Sequence, residues 1–151
     1  MKNQINFTKE GYEELKKEYD KVFATKKDAI KTLTRAREMG DLSENGFYKA
    51  AKARLFSIYG NLARLEKLIR IGKIAQKQRN GIVAVSSKVV VGDGEKTQTF
   101  YIVGKFEADP LAGKISEESP IGRNLIGKKS GDSIKVKTPS GDKTFKILKV
   151  E

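Results

Sequence analysis

The chain has 151 residues, room for one ordinary domain or two small ones, and contains neither cysteine nor histidine. Those absences exclude disulfides, the usual zinc ligand sets, thiol nucleophiles and imidazole acid–base chemistry, leaving carboxylates, hydroxyls and lysines to carry any chemistry. The formal net charge of +12 points to a polyanionic partner.

No apolar run is long enough to cross a bilayer, and Met1-Lys2-Asn3-Gln4 leads into no signal-peptide core. A soluble cytoplasmic protein without a membrane partner is the expectation. After Ile5-Asn6-Phe7, Thr8 is placed to cap a first helix, with Glu10, Glu13 and Glu14 in or near its first turn, where anions suit the helix dipole. The helix is predicted to run without proline to about Glu38 and to stop at Gly40.

Within that span Tyr12, Leu15, Tyr19, Val22, Ala29, Leu33 and Ala36 recur at alternating steps of three and four, with Lys26 in the one missing place. This is a heptad seam. Tyr48, Ala51, Leu55, Ile58, Leu62, Leu65 and Ile69 repeat the alternation in a second predicted helix, from near Ser43 to about Gly72 or Ala75. The two seams are mirror images about Leu42: Ala36 answers Tyr48, Leu33 answers Ala51, Ala29 answers Leu55, and so on to Leu15 and Ile69. Two helices joined by a short turn run antiparallel, so positions equidistant from the turn face each other. The prediction is a helical hairpin with its tip at residues 40–45 and an arm on the order of 40 Å long.

Charge is unevenly spread along the chain. Residues 1–79 carry 19 Lys/Arg against 10 Asp/Glu, and residues 80–151 carry 12 against 9. Between residues 46 and 79 the only anion is Glu66, so the second helix reads as a cationic rod behind an acidic tip. A face meant only for solubility would mix both signs.

Gln76 to Gly81 has no apolar period and reads as a linker, which divides the chain into a hairpin at 1–77 and a globular domain at 78–151. From Ile82 the texture turns to β-branched residues and glycine turns. Val83–Val91 is predicted as one strand or a bent pair, Gly92-Asp93-Gly94-Glu95 as a hairpin turn and Thr97–Val103 as the returning strand. Ser119, Pro120 and Gly127 mark the cap, first position and stop of a short helix. Ile134–Thr138 and Thr144–Val150 alternate around the turn Pro139-Ser140-Gly141-Asp142. The fold class is α+β, an antiparallel coiled-coil hairpin followed by a small antiparallel sheet with one short helix.

Asp41 and Glu44 are the carboxylates of the tip. Asp-x-x-Glu before an apolar run is a capping-box pattern, with Asp41 as N-cap and Glu44 reaching back. It is also a pair of hard oxygen donors suited to Mg²⁺, too few to complete its octahedral shell, so that a second macromolecule would supply the rest. Both readings stand on spacing alone. Aromatics interleaved with cations, Phe47, Tyr48, Phe56 and Tyr59, suit base stacking, although Tyr48 lies on the seam and is accounted for by packing.

The tip Gly40-Asp41-Leu42-Ser43-Glu44-Asn45, the segment Glu107-Ala108-Asp109-Pro110, Gly113-Lys114-Ile115-Ser116, Ser119-Pro120-Ile121-Gly122-Arg123 and Leu125-Ile126-Gly127-Lys128 together resemble the Gre family of bacterial transcript cleavage factors over essentially the whole chain. The resemblance implies an FKBP-like C-terminal domain that docks on the rim of the RNA polymerase secondary channel. It implies a coiled coil that enters the channel, and tip carboxylates matching Asp41 and Glu44 that help hold a Mg²⁺ ion of the polymerase. The polymerase then cuts the 3′ end of backtracked RNA, so the chain is expected to be a factor and not itself an enzyme. By the same carry-over Arg37 and Lys52 contact RNA or the channel, Ser119, Pro120 and Ile121 lie in the docking segment, DNA contact is possible, and the protein is expected to be monomeric. One departure stands at the tip, where the family commonly has Ala-Glu-Tyr and this chain has Gly46-Phe47-Tyr48. That change motivates an alternative, a channel-binding inhibitor without cleavage activity. The cationic second helix motivates another, a nucleic-acid-binding protein independent of polymerase.

Overall fold

The structure is a computed structural model that describes residues 3–40, 45–78 and 80–151. It divides into two compact units, Glu13–Ile71 and the N-terminal segment through Tyr12 together with Gly72–Glu151. The chain-order boundary read from sequence at 77/78 therefore differs from the spatial grouping, which returns the first residues to the globular unit.

The helical unit is formed by α1 (Lys9–Arg37) and α2 (Gly46–Ile71). Every apolar seam position named above from Leu15 to Ile69 is buried or half-buried, and most other positions along both helices are exposed. Cross-helix contacts follow the mirrored register: Arg54 pairs with Asp28 at 3.3 Å, Arg64 pairs with Glu18 at 3.4 Å, and Ala29, Ile58 and Leu62 form a buried cluster with Tyr19, Val22 and Leu55 around it. The ion pairs are exposed and each contributes about 0–1 kcal/mol. Register therefore rests on the apolar seam. No described helix is long and apolar enough to cross a membrane.

In the globular unit, β1 (Ile5–Phe7) pairs in parallel with β2 (Gly72–Ile74). The sequence does not announce this pairing: α2 is expected to end at about Gly72 or Ala75 and ends at Ile71, near the first of these, and three-residue strands beside helices carry no readable period. Phe7 is 2% exposed, and its carbonyl accepts from the amide of Ala75 at 2.9 Å, which adds to the pairing that follows the end of α2. Thr8 caps α1 as expected, its hydroxyl accepting from Gly11 N at 3.0 Å.

The main sheet has the order β5-β4-β3-β7-β6, with β3 at Lys88–Gly92, β4 at Thr97–Val103, β5 at Lys114–Ser116, β6 at Ser133–Thr138 and β7 at Gly141–Val150. The pairs β3–β4, β3–β7 and β6–β7 are antiparallel, whereas β4–β5 is parallel. The sheet is thus mixed, a correction to the wholly antiparallel expectation. The parallel edge arises because residues 104–113 carry the chain back across the sheet through two short 3₁₀ turns. Val83 and Val85 enter the core without forming a strand, since the chain turns at Ser86, which has φ 79°. The core alternates as period two requires, with Val89 and Val91, Ile134 and Val136, and Phe145 and Ile147 pointing inward beneath Leu125 of α3 (Pro120–Leu125). The turn from Asp93 is closed by its carboxylate, which accepts from the amides of Lys96 and Glu95 at 2.9 and 3.0 Å and is thereby held below the usual aspartate pKa.

Glu107 joins the start of α1 to the sheet domain. Its carboxylate accepts from Thr8 N at 2.9 Å, from Gly104 N at 3.0 Å and from the Thr8 hydroxyl. The approach is close: a Cβ on Gly11 would lie 1.8 Å from Glu107 Oε1, and one on Gly104 would lie 1.8 Å from the Asn6 carbonyl oxygen. By contrast Gly60, within α2, has nothing within 4 Å. Gly104→Ala is therefore expected to destabilise the protein by about 1–3 kcal/mol through overpacking against backbone. Gly60→Ala should stabilise α2 by about 0.5–1 kcal/mol. Urea unfolding of the two variants, followed by circular dichroism, measures both signs.

Candidate functional site at the hairpin end

Among the described residues, backbone bonds and the Asn45 side chain join the two helix ends. At the end of α1, the amides of Glu38 and Met39 bond back to the carbonyls of Arg35 and Ala36 at 3.2 and 3.3 Å, and Gly40, at φ 114°, turns the chain. Arg35 and Arg37 occupy the last turn, where cations oppose the helix dipole. On the other side Asn45 caps α2, its Oδ1 accepting from Tyr48 N at 3.1 Å, while its Nδ2 donates to the Ala36 carbonyl at 3.0 Å. One amide side chain thus serves an amide of one helix and a carbonyl of the other.

Helix α2 begins at Gly46 and its cap is Asn45, where the pattern had placed Asp41 as N-cap with a start near Ser43. Asparagine and aspartate are comparable acceptors at an N-cap. Only the amide also has a donor, and it serves the Ala36 carbonyl, which a carboxylate could not satisfy. Asp41 and Glu44 themselves lie outside the described residues, in the connection between Gly40 and Asn45.

The other residues singled out from sequence fall in two places. Arg37 is the last residue of α1 and exposed; Lys52 is exposed on α2, with Nζ 6.0 Å from the Tyr48 ring centroid and 5.7 Å from that of Phe56. Phe47, at the departure from the family pattern, is 64% exposed. In the globular unit the Ser119 hydroxyl accepts from Gly122 N at 3.0 Å and donates to the Ser116 carbonyl at 2.7 Å, so it is committed to capping α3. Pro120 is exposed at the first position of α3, and Ile121 is half-buried against the core. Among the described residues no group of three or more carboxylate, histidine or cysteine side chains is assembled for a metal ion.

Comparison with known proteins agrees with this architecture unit by unit. The family model described as "Transcription elongation factor, N-terminal" matches residues 5–74, and that described as "Transcription elongation factor, GreA/GreB, C-term" matches residues 78–151. This chain belongs to the GreA/GreB family of transcription elongation factors. It is 41% identical to transcription elongation factor GreA of Lactococcus lactis subsp. cremoris strain SK11, over 100% of both chains. It is 34% identical to GreA of Thermomicrobium roseum, over 99% of both. Among solved structures, GreA factor homolog 1 (Gfh1) of Thermus thermophilus aligns with 98% of this chain and 99% of its own at 26% identity, with a TM-score of 0.46. In this GreA/GreB-family chain the two family models fall on either side of residues 75–77: the first spans the hairpin with β1 and β2, the second the five-stranded sheet.

Two residues with structural roles, Asn45 in the helical unit and Glu107 in the globular unit, escaped the sequence reading of roles. Asn45 had a signal, an asparagine three residues before the first seam residue of α2. Glu107 had none, because its partner Thr8 is remote in sequence. Asn45→Ala should cost about 1 kcal/mol of stability through loss of the cap. Asn45→Asp retains the acceptor and loses only the bond to Ala36, so its cost should be the smaller of the two. Thermal unfolding of both variants checks that order.

Proposed function

We propose that this GreA/GreB-family chain binds RNA polymerase, places its coiled coil in the secondary channel and stimulates the polymerase's own Mg²⁺-dependent cleavage of the 3′ end of backtracked RNA. In this reading it is a cytoplasmic factor that lends carboxylates to an active site it does not contain. The observation that supports the reading is the match to the GreA/GreB family over residues 5–74 and 78–151, with Asp41 and Glu44 in the sequence that joins the two helices.

The donor set fits the ion in kind and falls short in number. Asp41 and Glu44 offer hard carboxylate oxygens of the sort Mg²⁺ takes, and the rest of an octahedral shell falls to polymerase groups, RNA phosphate and water. Such an ion supplies charge stabilisation at the scissile phosphate and a more acidic bound water. The chain's own part is to bring two anions to a phosphate-rich place on a basic carrier. Arg37 at the end of α1 and Lys52 on α2 are exposed to offset repulsion between those anions and RNA. Docking falls to the globular unit, where Pro120 is the exposed member of the Ser119-Pro120-Ile121 segment.

The test uses a defined backtracked elongation complex and the full-length protein. The unaltered protein should shorten the RNA in a Mg²⁺-dependent way. Asp41→Ala combined with Glu44→Ala should reduce cleavage to the polymerase's own background while polymerase binding is retained. Cleavage undiminished in the double variant would remove the carboxylates from the mechanism. Slowed RNA synthesis by the unaltered protein, with no cleavage product, would identify a channel-occupying inhibitor instead.

A further inference from the structure

Asparagine stands directly before glycine twice in the chain, at Asn45-Gly46 and at Asn80-Gly81, and the other asparagines precede larger residues. In an Asn-Gly pair no side chain on the second residue shields the carboxamide, so the following main-chain nitrogen can reach it. The two pairs carry the same local chemistry in different surroundings.

At Asn45 the carboxamide is held at both ends. Its Oδ1 accepts from Tyr48 N in α2 at 3.1 Å, its Nδ2 donates to the Ala36 carbonyl in α1 at 3.0 Å, and the residue is half-buried. Turning Cγ onto the Gly46 nitrogen would break both bonds and undo the cap. At Asn80 both bonds are local and lie in solvent. Its Oδ1 accepts from Ile82 N at 3.1 Å, an Asx turn, and its Nδ2 donates to the exposed Gln78 side chain at 3.3 Å. The turn folds the carboxamide back over Gly81, whose φ is 74°, and the Ile82 amide draws electron density from Cγ through Oδ1. Asn80 and Gly81 are both exposed, so water reaches the reacting atoms.

We propose that Asn80 is a site of spontaneous deamidation and that the fold protects Asn45 from the same reaction. The Gly81 nitrogen gives up its proton and attacks Cγ of Asn80. The new N–Cγ bond closes a succinimide, the Cγ–Nδ2 bond breaks, and the departing nitrogen takes up a proton and leaves as ammonia. Water then opens the ring at either carbonyl, giving aspartate or isoaspartate. Both products add a negative charge near Lys77, and isoaspartate also lengthens the main chain by one methylene. That extra atom falls between two fixed points: the Ala75 amide bonds to the Phe7 carbonyl, and Val83 bonds to Lys128 and Gly127. Residues 76–78, 80 and 81 between them belong to no helix or strand, so the modified chain keeps its fold. The assignment goes beyond the proposed function, since neither the tip nor the docking segment takes part.

The experiment is timed incubation of the full-length protein in mildly alkaline buffer, native and in urea. Peptide mass spectrometry follows the amide-to-acid exchange at each asparagine, and enzymatic carboxyl methylation detects isoaspartate. In the native protein Asn80 should react about tenfold or more faster than Asn45, the factor that one ordinary hydrogen bond lost on attack is worth. In urea the two rates should converge. Ion exchange should resolve a species one charge more acidic that accepts methyl groups, and Asn80→Ser should form neither. The aged protein should unfold at the same temperature as the fresh one. Native rates at Asn45 equal to or above those at Asn80 would overturn the proposal, and a difference that persists in urea would overturn the protection by assigning it to flanking residues. An undiminished acidic species in Asn80→Ser would place the reaction elsewhere, and a lowered unfolding temperature on ageing would overturn the tolerance of the added atom. Polymerase binding and RNA cleavage do not enter these outcomes, so this inference and the proposed function fail separately.

Discussion

The mirrored seam is the constraint on which the helical unit depends. Two helices that meet along one stripe have little surface to share, and small residues facing large ones make that stripe close: Ala36 opposes Tyr48, Ala51 opposes Leu33, and Ala29 opposes Leu55. The burial of Ala29, Ala36 and Ala51 shows this interdigitation along the half of the hairpin nearest its connection. A slip along either helix would set large against large and small against small, leaving voids and clashes in turn. The register is therefore held by packing volume, and Lys26 is accommodated in it because its head group moves aside onto the Phe23 and Tyr59 rings.

A seam this narrow leaves most helical residues to solvent, and their chemistry is then available for other uses. The two flanks have diverged accordingly, one holding inter-helix ion pairs and the other aromatic rings under lysines. At the closed end an uncharged residue does the joining. Asn45 satisfies an amide of α2 and a carbonyl of α1 with one side chain. The sheet domain uses charge in the opposite way: Glu107 is consumed in structure, accepting from Thr8 and Gly104 where glycines at 11 and 104 permit close approach.

Much of this was legible in the residues. Heptad spacing marked both helices to within a few positions, and alternation around glycine turns marked β3, β4, β6 and β7. The cap-proline-glycine punctuation of α3 was borne out by Ser119, Pro120 and Gly127. What escaped were features whose partners are distant or whose length is too small to show a period. The strands β1, β2 and β5 have three residues each, and two of the pairings they make are parallel ones that no turn announces.

The chain by itself determined the hairpin, its antiparallel register and the place of its acidic connection, because period and mirror symmetry are properties of residue order. It also carried the family, through short motifs in fixed order. Only the tertiary structure decided that Asn45 caps α2, that Glu107 closes on Thr8, and that Phe23 and Tyr59 share one lysine. Each of those depends on which atoms meet across the fold. Local spacing offered equivalent candidates, and long-range packing chose among them by the donor, acceptor or ring it brought within reach.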